Sequence, residues 1–204
     1  MSITEPQQYT SCPPASSLFC SERRSPRRAW PAVLRRLRLL YFRLRYAGAR
    51  FGADCDIRPG LLIGMGEAAS VVFGSKCVLD RDLTIECTGT LQVGSRTIFG
   101  HHCTLAARES VVIGDDCLIA EMVSIRDHNH RFDQLPDIPI REQGFECRPV
   151  RIGNNVWLGG KVTVVRGITI GDNAVIGANS VVTRDIPANA VAAGAPARVL
   201  RIRS

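Results

Sequence analysis

Aromatic residues supply only 6% of this 204-residue chain, so its core has to be assembled from Val, Ile, Leu, Ala and Cys. No apolar run approaches the ~18 residues of a membrane-crossing helix. The first residues, MSITEPQQYTSCPPASS, contain an early acid and no apolar stretch of the secretory type, which gives a cytoplasmic expectation. There is no Cys-x-x-Cys pair among the eight cysteines, which speaks against a zinc cluster. Net positive charge is absent from most of the chain. The net +7 is concentrated in residues 1–50, where ten arginines face only Glu5 and Glu22, and the remainder is close to neutral. Nucleic-acid binders usually carry their basic patch on the folded domain, so no nucleic-acid partner is expected. What remains is one domain with a sizeable core.

What is present is a repeat. An aliphatic residue or Phe recurs every six positions in triplets: Phe51, Ile57, Ile63; Phe73, Leu79, Ile85; Val93, Phe99, Leu105; Ile113, Ile119, Ile125; Ile152, Leu158, Val164; Ile170, Ile176, Val182. The position that follows is very often Gly, as in FGADCD, IGDDCL and IGNNVW. Neither a helix nor a lone amphipathic strand has a period of six. A short strand ending in a tight turn does, with Gly or Asn/Asp supplying positive φ. Three strands close a triangular coil, and stacked coils share a core. This predicts an all-β parallel solenoid of six coils over 51–187. Residues beyond six per strand fall only after each third strand, so all insertions should leave from one edge, including the longest, 127–149.

That long insertion starts at RDHNH, which holds two of the four histidines, His128 and His130. Loops on a stiff scaffold are where function concentrates. Cys55, Cys77, Cys103 and Cys117 share the fifth place of a hexad and read as small inward residues, while Cys12, Cys20 and Cys147 lie elsewhere; all are expected to be reduced thiols. Before the solenoid, residues 30–50 read as a basic amphipathic helix, with Trp30, Val33, Leu34, Leu37, Leu40, Tyr41 and Leu44 on one face and arginines around the other. That helix either caps the open first coil or lies against anionic lipid at the inner face of a membrane, and the two roles can coexist. Residues 1–29, rich in Ser, Pro and Gln, are expected to be a disordered leader.

The hexads, together with the ending PVRIGNNVWLGGKVTVVRGITIGDNAVIGANSVVTRDIPANAVAAGAPARVLR, resemble the hexapeptide-repeat acyltransferases, in particular the galactoside, maltose, Nod-factor and surface-polysaccharide O-acetyltransferases. The resemblance implies a left-handed parallel β-helix, a homotrimer, and acetyl-CoA as co-substrate in a groove between subunits. It implies no metal, and a loop histidine as general base acting on a sugar or glycan hydroxyl. A gapless count from Val123 places that base at His130, with His128 second and Asp127 able to orient either ring. The resemblance assigns Gly160, Ala178, Thr183, Arg184, Arg198 and Arg201 to coenzyme A, the last two in the C-terminal tail 188–204. The acceptor pocket would draw on Asp127, His101, His102 and Arg108, although FGHHCTLAARES lacks the Asn and Asp with which galactoside enzymes hold sugar. Other readings are N-acyl transfer to an amino or nucleotide sugar, a γ-type carbonic anhydrase-like hydratase, and a solenoid without catalysis.

Overall fold

The computed structural model describes residues 29–133 and 137–203, with side chains from Val33 onward; the leader, with Cys12 and Cys20, lies outside the described residues. The compact unit runs from Arg35 to the C-terminus, and residues 29–34 contribute the start of a helix, Ala29–Arg45. The aliphatic residue of each hexad turns inward, and the resulting strands stack in parallel on three faces. Face one comprises Ala49–Phe51, Ser70–Phe73, Thr90–Val93, Ser110–Ile113, Val150–Ile152 and Thr169–Ile170. Face two runs from Asp56–Ile57 up to Val175–Ile176, and face three from Leu62–Met65 up to Val181–Val182. These make six full coils. Ile186 bridges to Ile170 and Ala190–Gly194 pairs with Val175–Ile176, which begins a seventh coil. The chain then doubles back as Ala197–Ile202, antiparallel to the strand before it.

Two chemical columns fix the stacking, and one differs from the expectation. Positive φ recurs at the fourth place of the hexads, mostly on residues with side chains (Asp54, Lys76, Arg96, His102, Asp116, Met122, Asn155, Lys161, Asn173 and Asn179) and on glycine there at Gly60 and Gly167. Glycine is needed at the second place for closeness instead. A Cβ on Gly52 would stand 2.5 Å from the backbone of Gly74, and one on Gly94 would stand 2.6 Å from Gly114. The coils approach too tightly there for any side chain. Fifth-place residues form the second column. The thiols of Cys55, Cys77, Cys103 and Cys117 point at the carbonyls of Gly74, Gly94, Ala120 and Gly153 in the next coil at 3.0–3.1 Å, and the Thr97 hydroxyl donates to Gly114 C=O at 2.9 Å. Burial pushes the Cys103 thiol up to about 11 and raises that of Cys117, so these two sulfurs are small packed donors and poor nucleophiles, whereas the contact with Cys77 lowers Cys55 to about 7.

The open first coil is covered by the helix, but not with the stripe of large apolar residues. Leu39 and Phe42 are buried, and the Phe42 ring meets Phe51 at 6.3 Å and stacks on Tyr46 at 5.9 Å. The Arg43 guanidinium donates to the carbonyls of Phe51 (2.7 Å) and Gly52 (2.8 Å), which end the coil without a further strand. Leu37, Leu40, Tyr41 and Leu44 remain exposed. A triangular end is small, and two or three side chains fill it.

Candidate active site

The extra residues of the first three coils leave at the turn from face three to face one: Gly66–Ala69, Thr88–Gly89 and Arg108–Glu109. After Ser124–Arg126 the same turn opens into an antiparallel hairpin, His128–His130 against Phe145–Cys147, in register His128↔Cys147 and His130↔Phe145. Asp127 is the pivot and is fully buried. Its Oδ1 accepts the Arg108 N–H (2.9 Å), and its Oδ2 accepts those of Glu109 (2.7 Å) and Ser110 (2.8 Å). The carboxylate therefore ties the hairpin to the coil beneath. Asp127 C=O accepts the Arg148 N–H at 2.8 Å, closing the base of the loop. Glu146 is held by Arg166 and Arg148, and its hydrogen bond to the Arg166 guanidinium keeps its carboxyl below the usual range.

That clamp has a stated pH sense. Because Glu146 titrates lower in the folded protein, its contribution is complete above the unfolded carboxylate value and is lost as pH falls through the folded one. Glu146→Gln is expected to speed amide exchange at Asn129 and Arg131, whose N–H groups lie in the bonded pairs of the hairpin, while leaving the coils protected. Unchanged hairpin exchange would show that Asp127 alone holds the loop.

Asp127 also orients a histidine. Its Oδ1 lies 2.9 Å from His128 Nδ1, so the carboxylate selects the Nδ1–H tautomer and leaves the lone pair on Nε2. The His128 side chain is only 14% exposed. It lines a cleft of about 360 Å³ with Gly64, Met65, Gly66, Glu86, Thr88 and Arg108. His130 shares that face of the hairpin but is exposed, its ring 4.3 Å from Phe145. Phe145 fills the space between the two, with His128 at 5.6 Å on one side and the Arg108 guanidinium over its ring at 3.4 Å. A second cleft, of about 370 Å³, shares Met65 and Gly66 with the first and reaches Arg45 and Tyr46 at the helix end. Asp127, His128 and Arg108 are thus brought together. Glu86, Thr88, Met65 and Phe145 were missed by sequence reasoning, although the surplus residues at one edge pointed to their neighbourhood.

The other expected residues lie elsewhere. His101 and His102 sit at the turn from face two to face three, where His102 faces Asp82 at 3.8 Å, and neither lines the His128 cleft. Gly160 and Ala178 occupy that same edge higher up, joined through the backbone bond from Asn179 N–H to Gly160 C=O. They line an apolar groove of about 590 Å³ with Glu121, Trp157, Val191 and Leu200. Arg198 and Arg201 are exposed on the last strand, beside Leu200. Thr183 and Arg184 are exposed at the turn from face three to face one and do not line that groove. Among the described residues no three His, Cys, Asp or Glu side chains converge as metal ligands.

Residues 149–184 match the family model described as the hexapeptide repeat of succinyl-transferase. Galactoside O-acetyltransferase of Escherichia coli K12 is 42% identical over 112 residues, 54% of this chain and 53% of that one. WbbJ of the same strain, assigned provisionally to O-acetyl transfer in lipopolysaccharide biosynthesis, is 48% identical over 103 residues, 48% of this chain and 53% of that one. The chain spans about half the length of these curated relatives. The hexapeptide-repeat containing acetyltransferase VCA0836 of Vibrio cholerae superposes with a TM-score of 0.56 at 31% identity, over 64% of this chain and 72% of that one. That protein has also been solved in complex with acetyl coenzyme A.

Proposed function

The chain belongs to the hexapeptide-repeat acetyltransferases, and from that premise we propose that it moves an acetyl group from acetyl-CoA to a hydroxyl of a sugar or glycan, with His128 as general base. The observation that carries this reading is the Asp127–His128 pair, with His128 on the wall of a cleft that also holds Glu86, Thr88 and Arg108, at the turn where the solenoid lets its chain out. His128 Nε2 takes the acceptor proton as the hydroxyl oxygen attacks the thioester carbonyl. The buried Asp127 carboxylate then faces the imidazolium that forms and favours it. This reverses the order given by the gapless count, in which His130 led. Among the described residues His130 has no carboxylate partner, and it stands in solvent at the outer end of the same hairpin.

The groove at Gly160 and Ala178 suits a pantetheine arm: its walls are apolar, its turn residues are short, and Arg198 and Arg201 nearby suit nucleotide phosphates. It lies on a different edge of the prism from His128. One chain cannot bring the two together, so the working unit is a homotrimer in which one subunit's hairpin faces its neighbour's groove. Thr183 and Arg184, on the hairpin's own edge, would approach that groove from the neighbouring subunit. The two joined clefts favour a glycan longer than one sugar, in keeping with the similarity to WbbJ.

Subunit mixing tests the arrangement. His128→Ala and Ala178→Trp are each expected to be inactive alone. Denatured together and refolded, random trimers should regain about a quarter of wild-type turnover, because each site takes its hairpin and its groove from different chains. No regain, or full activity in a monomer by light scattering, would refute the shared site. The acceptor class is read from coenzyme A release across monosaccharides, oligosaccharides and nucleotide sugars. Release with none of them would refute the sugar reading.

A further inference from the structure

The N-terminal helix carries two apolar faces where a cap uses one. Leu39 and Phe42 face the first coil and are 9% and 8% exposed. Leu37, Leu40, Tyr41 and Leu44 are 56%, 51%, 58% and 77% exposed. At ~100° per residue, these four stand in one sector directly opposite Leu39 and Phe42. Arg36 and Arg43 flank that sector on one side, Arg38 and Arg45 on the other. The helix from Ala29 to Arg45 contains no acidic residue, and Arg36, Arg38 and Arg45 have no ion-pair partner among the described residues. The cap therefore holds a cation-bordered apolar stripe pointing away from the solenoid.

We propose that this stripe docks on an anionic lipid surface, with the four apolar side chains at the level of the acyl boundary and Arg36, Arg38 and Arg45 on lipid phosphates. Charge decides the occupant. A second copy of the helix would set arginine rows against each other, and the leader before it adds Arg23, Arg24, Arg27 and Arg28 against Glu22 and Glu5. Neither complements the flanks, whereas acidic headgroups do. Among the described residues no helix is long and apolar enough to cross a bilayer, so contact is peripheral. Arg45 and Tyr46, at the end of this helix, also line the cleft that joins the one at His128, so docking would set that passage near the lipid. The docking itself does not depend on the acetyl-transfer reading.

The experiment is sedimentation of the full chain with phosphatidylcholine vesicles, with and without phosphatidylglycerol, at low and at physiological salt. Binding is expected to require phosphatidylglycerol and to weaken with salt. Leu40→Glu/Leu44→Glu should lower it by at least about tenfold, with melting temperature and light-scattering mass unchanged because Leu39 and Phe42 are untouched. Three results would overturn the proposal: no binding by the wild type, equal binding by the double variant (the leader's arginines then suffice), or a fall in oligomer mass in the variant, meaning that another copy covers the stripe.

Discussion

Replacing His128 by Ala is expected to lower kcat by about 10²–10⁴-fold, the usual worth of a general base, while acetyl-CoA affinity stays close to wild type. In the proposed reaction the ring meets only the acceptor's side: it lines the cleft with Arg108, Glu86 and Thr88, and it does not line the groove at Gly160 and Ala178. His130→Ala should cost far less, since that ring is exposed and leans on Phe145. Arg198→Ala should show the opposite split, a raised KM for acetyl-CoA with a small kcat effect. Asp127→Asn is a poorer probe, because the same carboxylate holds the N–H groups of Arg108, Glu109 and Ser110, and its loss would loosen the hairpin as well as the base. If His130→Ala is the dead variant and His128→Ala turns over normally, the gapless count was right and the Asp127–His128 pair is structural. If both retain wild-type kcat, the histidines do not carry the chemistry.

The solenoid was legible because its causes are local. One inward aliphatic, one crowded second place and one left-handed fourth place recur within six residues, so Ile113-Gly114-Asp115-Asp116-Cys117 declares its own geometry. Even so, the glycine had a different cause from the one the pattern suggested: φ is left-handed at Asp116, whereas Gly114 is small because Gly153 lies against it. That contact is between residues distant in sequence and has no local signature. The helix was legible, but the face it turns to the solenoid was not, for a related reason. Periodicity shows which residues share a face and not which face a neighbour offers, and Leu39 and Phe42 are too few to outrank Leu37, Leu40, Tyr41 and Leu44 on a wheel. The histidines were found by composition, but their order was not. The proposed order, His128 before His130, rests on a buried carboxylate beside one ring, and the hairpin that puts it there pairs residues across a loop with no repeat.

The largest loss of stability is expected from Phe73→Ala. In a chain poor in aromatics, Phe73 is the middle of a column: its ring stacks on Phe51 at 5.3 Å, meets Phe99 edge-on at 6.2 Å, and is 2% exposed. Phe51 in turn meets Phe42 of the helix, so the column ties the cap to the second coil. Truncation to Ala loses the transfer energy of the ring and leaves a cavity that the stacked coils cannot close, because Val71 and Leu91 are already fixed in strand register. Phe→Ala changes in cores cost about 3–5 kcal/mol, and each kcal/mol lowers the melting temperature by about 2–4 °C for a chain of this size. Phe73→Leu, which keeps most of the volume, should cost under about 1.5 kcal/mol. Because solenoid coils are coupled mainly to their neighbours, amide exchange should rise first from Ala49 to Val93 and last around Ile170. A Phe73→Ala protein that melts within a degree or two of wild type would mean that the strand ladders, and not the aromatic column, hold the first coils and their cap.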